Sequence, residues 1–274
     1  RDRSVSRGLG DVYKRQKVII TGTLNDADYT TLKTYVNSGK IRGIKFPAGE
    51  EIPNDAFKGC NNLISADLTG VVTIGDCAFG ESGLTSVTLS EGLTRIGDSA
   101  FFRNKSLTNI TVPASVKTWG EWLFSESGLI SVTLSEGLEA IGEVAFSDCK
   151  SLMSVTIPAS VRTWGNQAFS GSGLTSVTLS EGLEAIGDIA FWSCPLEKVA
   201  LSGDKSISVY NNAFDNTPAT KSLFLYHSTM SSEEAITNWK TWGSTTWSKI
   251  YYSYKGSDND KLEPGSYNSS YQQQ

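Results

Sequence analysis

The 274-residue chain carries one histidine, His227. That scarcity weighs against a serine or cysteine nucleophile served by a histidine base, and it leaves no Cys/His spacing for zinc. Cysteines number four, at positions 60, 77, 149 and 194, too far apart for a C-x-x-C motif. Charge is also sparse: charged residues make up 19% of the chain and balance to −5. A chain without a basic excess is not expected to take a nucleic-acid partner. No apolar run approaches the roughly 20 residues of a membrane helix, so no membrane insertion is expected. Disorder is excluded in turn, because 39% of residues are hydrophobic and 10% aromatic, enough to bury a sizeable core. Abundant Ser, Thr and Gly beside little charge suggest an extracellular bacterial chain, expected to be monomeric.

What is present in excess is repetition. "GLTSVTLSEGLTRIGDSAF" begins at Gly83, "GLISVTLSEGLEAIGEVAF" at Gly128 and "GLTSVTLSEGLEAIGDIAF" at Gly173, each 45 residues after the last. Each echo spans two units of mostly 22 and 23 residues, in which "TLSEGLEAIG" alternates with "TVPASVKTWG" or "TIPASVRTWG". Periods of this size mean a solenoid, whose units bury their apolar faces against one another. The pattern L-x-x-V-x-L recurs from Ile41/Ile44/Phe46 through Leu84/Val87/Leu89 to Leu196/Val199/Leu201, with a weaker ninth copy at Thr220/Leu223/Leu225. Its last two members lie two apart, the strand period, among β-branched residues. Each unit therefore supplies one short strand, and the stack makes a parallel sheet. The return path "LxxIGxxAF", as in Leu93, Ile96, Ala100 and Phe101, predicts inward ladders. Gly97, Gly142 and Gly187 follow the Ile and suit a sharp bend. Pro113 and Pro158 come directly after strands, where pairing can stop.

The ends differ. Residues 1–16 are basic and lack an apolar core, so they read as a non-native, adapter-like leader and not as a signal peptide. Residues 17–40 predict an N-terminal cap: a strand, then a helix from about Asp26 to Val36, capped by Asn25, with Leu32 and Tyr35 about one turn apart on one face. Residues 41–226 form the solenoid. Residues 227–254 predict a C-terminal cap, with a helix begun at Ser231 or Ser232 and a last strand in "SKIYYSY". Residues 255–274 are a polar tail.

The unit resembles the bacterial BspA-like leucine-rich repeat, C/N-x-x-L-x-x-I-x-L-P-x-x-L-x-x-I-G-x-x-A-F. "CKSLMSVTIPASVRTWGNQAF", Cys149 to Phe169, matches it nearly position by position, with Trp164 in place of Ile. The resemblance covers residues 41–226. It implies an extracellular or surface-attached solenoid involved in adhesion and host or matrix binding, with no catalytic residues. No cofactor is expected, and the expected partner is a protein or glycan ligand on a host or neighbouring cell.

Candidate sites follow from the repeat phase. Cys60, Cys149 and Cys194 share a position with Asn104, Ser82, Ser127 and Ser172, where a small polar group can satisfy loop backbone. Cys149 and Cys194 are two rungs, roughly 10 Å, apart, beyond disulfide reach. Four free thiols, mostly buried, are expected. Glu91, Glu136 and Glu181 recur in "SEGL" turns as a ladder of equal acids, unlike the two differing carboxylates of a glycosidase, and read as solvated. "GSG" at 171–173 opens onto a strand and "DND" at 258–260 lacks the spaced Glu of a calcium loop, so neither is taken as a phosphate or metal site. The outward strand positions are a hydroxyl panel: Ser86/Thr88, Asn109/Thr111, Ser131/Thr133, Ser154/Thr156 and Ser176/Thr178, with Lys45, Asp67 and Lys198 toward its ends. It is read either as strand-favouring residues or as a polar docking surface, with Ile130 and Met153 beginning an apolar spot beside it. Trp119 and Trp164 sit in the inward phase. Trp122 and Trp192 fall in phases that tolerate polarity and are expected to be exposed, where an indole stacks on sugars or anchors a protein. Three functions remain open: a non-enzymatic adhesion solenoid using its strand face, a carbohydrate-binding module, and a structural spacer.

Overall fold

The computed structural model describes residues 17–180, 182–202, 207–210, 212–218, 222–228, 247 and 249–254. The chain divides into two compact units between Leu138 and Glu139. Each is a parallel β-solenoid whose rungs alternate a front strand with a shorter return strand.

In the first unit the elements are β1 (Lys17–Ile19), α1 (Asp26–Asn37), β2 (Gly43–Lys45), β3 (Glu51–Ile52), β4 (Ser65–Asp67), β5 (Thr73–Ile74), β6 (Ser86–Thr88), β7 (Arg95–Ile96), β8 (Asn109–Val112), β9 (Thr118–Trp119) and β10 (Ser131–Leu134). Front strands pair as β1-β2-β4-β6 and as β8-β10, and return strands as β3-β5-β7-β9. The second unit holds β11 (Ala140–Ile141), β12 (Ser154–Thr156), β13 (Thr163–Trp164), β14 (Ser176–Leu179), β15 (Ala185–Ile186), β16 (Lys198–Ser202), β17 (Ser208–Val209), β18 (Ser222–Ser228) and β19 (Lys249–Tyr254). Its front order is β19-β18-β16-β14-β12 and its return order β11-β13-β15-β17. Register is rung on rung: Thr133 sits opposite Thr111, and Val177 opposite Val155.

The inward ladders form the core. In the first unit Phe57, Phe79, Phe101 and Phe124 stack face to face with ring centroids 5.5–5.6 Å apart. Phe146, Phe169, Phe191 and Phe214 repeat the stack in the second at 5.2–5.9 Å. Those separations exceed the roughly 4.8 Å rung spacing, so the rings stack offset, the arrangement their quadrupoles prefer. Trp164 is buried and packs edge-on against Phe169 and Phe191. Trp119, in the same phase, is only half-buried.

The glycines after Ile do not make the bend that their position in the sequence suggests. Gly97 and Gly187 are absent from the residues with positive φ. They are required by close approach: a Cβ on Gly97 would lie 2.2 Å from Asp76 Oδ1 and 2.6 Å from Asp76 N. That carboxylate accepts the backbone N–H of Asp98 at 3.0 Å, just as Asn54 Oδ1 accepts from Asp76 and Asp98 Oδ1 from Glu121. The bend is made two residues later, by side-chain-bearing residues in left-handed conformation such as Cys77 (φ 53), Ser99 (φ 55) and Trp122 (φ 59). Even β-branched Val144 (φ 54) and Ile189 (φ 46) are held there, a conformation costing about 1–2 kcal/mol per residue that the surrounding rungs impose.

The N-terminal cap has the expected strand and helix. Asn25 Oδ1 accepts from Asp28 N, and Asp28 Oδ2 accepts from Asn25 N, both at 3.0 Å, a reciprocal box that satisfies two free helix donors. The buried face differs from expectation. Tyr29 and Val36, two turns apart, are buried, whereas Leu32 is half-buried and Tyr35 is 44% exposed. The helix expected at Ser231 or Ser232 lies outside the described residues, and α1 is the only helix among them. No helix among the described residues is long and apolar enough to cross a membrane. The expected last strand is β19, paired in parallel with β18.

Candidate functional site

The outward side chains of the front strands stand where the strand period puts them. In the first unit Ser86, Thr88, Asn109, Thr111, Ser131 and Thr133 are exposed. In the second, Ser154, Thr156 and Thr178 are exposed and Ser176 is half-buried. Their inward neighbours Ile110, Val132, Val155 and Val177 are buried. Pairing places polar on polar: Asn109 beside Ser131, Thr111 beside Thr133, Ser154 beside Ser176 and Thr156 beside Thr178. Of these side chains, Asn109 alone makes a hydrogen bond within the described residues, donating to Thr108 Oγ1 at 3.2 Å. The hydroxyls are therefore unspent donors and acceptors facing outward. Ladder hydrogen bonds in the first unit stop between β6 and β8, so the columns there run in two groups.

Charge appears at the ends. Lys45 Nζ lies 3.4 Å from Asp67 Oδ2 beside Thr88 in the next rung. Partial burial works against the Asp67 carboxylate. The Thr69 hydrogen bonds and Lys45 outweigh it and hold its pKa below the usual value. In the second unit the Ser176 column continues to half-buried Lys198, and the Thr178 column to Ala200, which is buried.

The two exposed indoles are off the panel. Trp122 and Trp192, each 44% exposed, sit in the turns that lead from return strand to front strand. Their exposure is as expected, but the polar company in the Trp192 phase is not a sign of solvent: Ser125, Ser147 and Ser170 are all buried. Ile130 and Met153 are exposed at the starts of β10 and β12, one in each unit.

The cysteines have a structural role. None of the four is in a disulfide among the described residues; Cys60, Cys149 and Cys194 are buried and Cys77 is half-buried. Cys194 Sγ donates to Phe169 O at 3.0 Å, and Asn104 Nδ2 donates to Phe79 O at 2.8 Å, each reaching back 25 residues to the same carbonyl of the preceding rung. Burial pushes the Cys194 thiol up to about 11, against the opposing pull of Ser172. Glu91 departs from its reading as a merely solvated turn acid. Its two carboxylate oxygens accept from Ala114 N and Ser115 N, both at 3.1 Å, which ties one rung to the next. Glu181, His227's side chain and the 258–260 acids lie outside the described residues. Among the described residues no three His, Cys, Asp or Glu side chains converge as a metal site would require.

A family model for the BspA-type leucine-rich-repeat region matches residues 31–153 and 139–241, with six copies. The chain belongs to that family. Solved structures with a similar fold include a leucine-rich repeat protein from Bacteroides ovatus, 19% identical, with a TM-score of 0.58 over 92% of this chain and 74% of that one. Weaker likenesses are the pneumococcal vaccine antigen PcpA (18% identical, TM-score 0.41, 88% and 82% covered) and a leucine rich cell surface protein from Faecalibacterium prausnitzii (19%, 0.39, 80% and 80%). No curated protein matches. In this BspA-type chain, as the hydrogen bonds show, the Cys/Asn position of the repeat is a carbonyl anchor.

The sequence reading missed one feature. Positions 61, 83, 105 and 128 read Asn, Gly, Lys, Gly, a two-rung alternation that carves a groove in the first unit.

Proposed function

We propose that this chain is a non-enzymatic binding solenoid acting outside a bacterial cell, which takes a protein or matrix ligand on the outward faces of its front strands. Chains built from this repeat are typically non-enzymatic. The observation that carries the reading is the register of the unspent hydroxyl columns on β8 and β10 and on β12 and β14. Parallel stacking repeats each outward side chain about every 4.8 Å, which turns turns and loops into framework and the strand face into an ordered polar surface. Ser and Thr lose little rotamer entropy on docking and both donate and accept.

The test replaces Thr111, Thr133 and Thr156 with Lys. Folding is expected to survive, because all three side chains are exposed. Binding to arrayed extracellular-matrix proteins is expected to be lost. The control is Lys117→Glu with Glu139→Lys, at exposed positions beside the return strands. Glu91 is unsuitable as a control because it anchors the next rung. Loss in the control with retention in the panel variant would move the binding face elsewhere. Matrix binding by neither parent nor variant would favour the spacer.

A further inference from the structure

The first unit contains an open groove of about 600 Å3 whose lining includes Asn61, Glu81, Gly83, Arg103, Lys105 and Ser106. Its origin is the alternation of the two rung types. Asn61 and Lys105 stand at the same phase two rungs apart, roughly 10 Å, with Gly83 between them. Gly83 cannot carry a side chain, since a Cβ would lie 2.0 Å from Asn61 O, and Gly128 is confined in the same way against Lys105 O. Gly83 leaves open the space between the Asn61 and Lys105 side chains.

The lining is charged yet balanced, with Glu81 and Glu126 of the glycine rungs against Arg103 and Lys105 of the rung between them. Arg103 is fixed: its Nε donates to Glu126 Oε2 at 2.9 Å and its Nη2 to Glu126 Oε1 at 3.0 Å, while its guanidinium lies 4.7 Å over the Phe102 ring. Such a bidentate pair holds its remaining donors in place before any ligand arrives. The side chains of Asn61, Glu81, Lys105 and Ser106 make no hydrogen bond among the described residues. The groove thus offers donors and acceptors not engaged in hydrogen bonds, no net charge, and no large apolar side chain in its lining.

We infer that this groove is a saccharide subsite, taking one unit of an uncharged glycan. A vicinal pair of hydroxyls both donates and accepts at each oxygen, which matches the acceptors of Glu81 and Asn61 and the donors of Asn61, Arg103, Lys105 and Ser106. An ionic ligand would meet a like charge as readily as an opposite one. The inference goes beyond the strand-face reading and is independent of it.

The experiment screens the intact chain on an array of neutral oligosaccharides with sialylated and sulfated counterparts, then titrates the neutral hits calorimetrically. Saturable millimolar or tighter binding of neutral glycans is expected, changing little with salt. Glu81→Ala with Lys105→Ala, both on exposed side chains, should weaken it at least about tenfold, and Ser106→Trp should block it by filling the groove. Lys117→Glu with Glu139→Lys, at exposed positions outside the groove lining and the strand panel, should leave it unchanged. Thermal melting of each variant checks that folding is retained. No saturable neutral glycan, binding by anionic glycans alone, or parent-like affinity in both groove variants overturns the inference. Matrix-protein binding is read separately, so failure of either assignment leaves the other standing.

Discussion

The Tyr29 hydroxyl donates to Glu50 Oε1 at 2.9 Å, and both residues are buried. This bond links the N-terminal helix to the start of the first full rung, alongside the edge-on contact of the Tyr29 ring with Phe57. Burial, with Glu50 beside it, raises the Tyr29 pKa. Removing one partner leaves a buried carboxylate without its donor. Tyr29→Phe is expected to cost about 1–3 kcal/mol in urea unfolding, and Tyr29→Phe with Glu50→Met to recover most of it. Equal losses in the single and double variants would show that the hydrogen bond is not what matters.

Asn104 and Cys194 make the same backward bond with different chemistry. Asn104→Ala would strand Phe79 O and remove the acceptor of the Ser82 hydroxyl, which donates to Asn104 Oδ1 at 2.6 Å. A loss of about 1–3 kcal/mol is expected, with Asn104→Cys retaining more stability than Asn104→Ala. If Cys and Ala prove equivalent at this site, the thiol is a filler and not a donor.

Thiol chemistry gives a pH-dependent outcome. The Cys194 pKa is raised by burial to about 11 from 9.0, and Cys60 is raised for the same reason. The folded state holds these protons more tightly than the unfolded state. Their contribution is complete below about pH 9 and lost as pH climbs toward 11. Melting temperature should fall across that window, and Cys194→Ser should flatten the fall. Tyr29 adds in the same direction, so the flattening is partial. At neutral pH Cys60, Cys149 and Cys194 should resist alkylation in the native chain, and the unfolded chain should take up four labels without reductant. Fewer labels would reveal a disulfide.

Phe146 is fully buried and stacks on Phe169 at 5.3 Å. Phe146→Ala should cost about 3–5 kcal/mol by emptying a site its neighbours cannot refill. Phe102 is half-buried and lies one residue beyond the ladder, so Phe102→Ala should cost far less. Chemical denaturation of both variants measures the difference, and similar midpoints would mean the inward phase is misassigned.

Much of this molecule was determined by the sequence alone. The 22–23-residue period and the L-x-x-V-x-L spacing set the rung, the inward ladder and the outward hydroxyls, because strand alternation is a local property of the backbone. The Asn25 cap was legible for the same reason. Tertiary structure decided what depends on the residue one rung away. Gly97 is glycine because Asp76 occupies its side-chain space, Glu91 is an anchor because Ala114 and Ser115 present their amides to it, and Ser170 is buried although polar. The groove over Gly83 exists only because Asn61 and Lys105, 44 residues apart, stand two rungs from each other. Contacts between neighbouring rungs join residues more than 20 positions apart, and no local pattern encodes which side chain will meet which backbone atom across that gap.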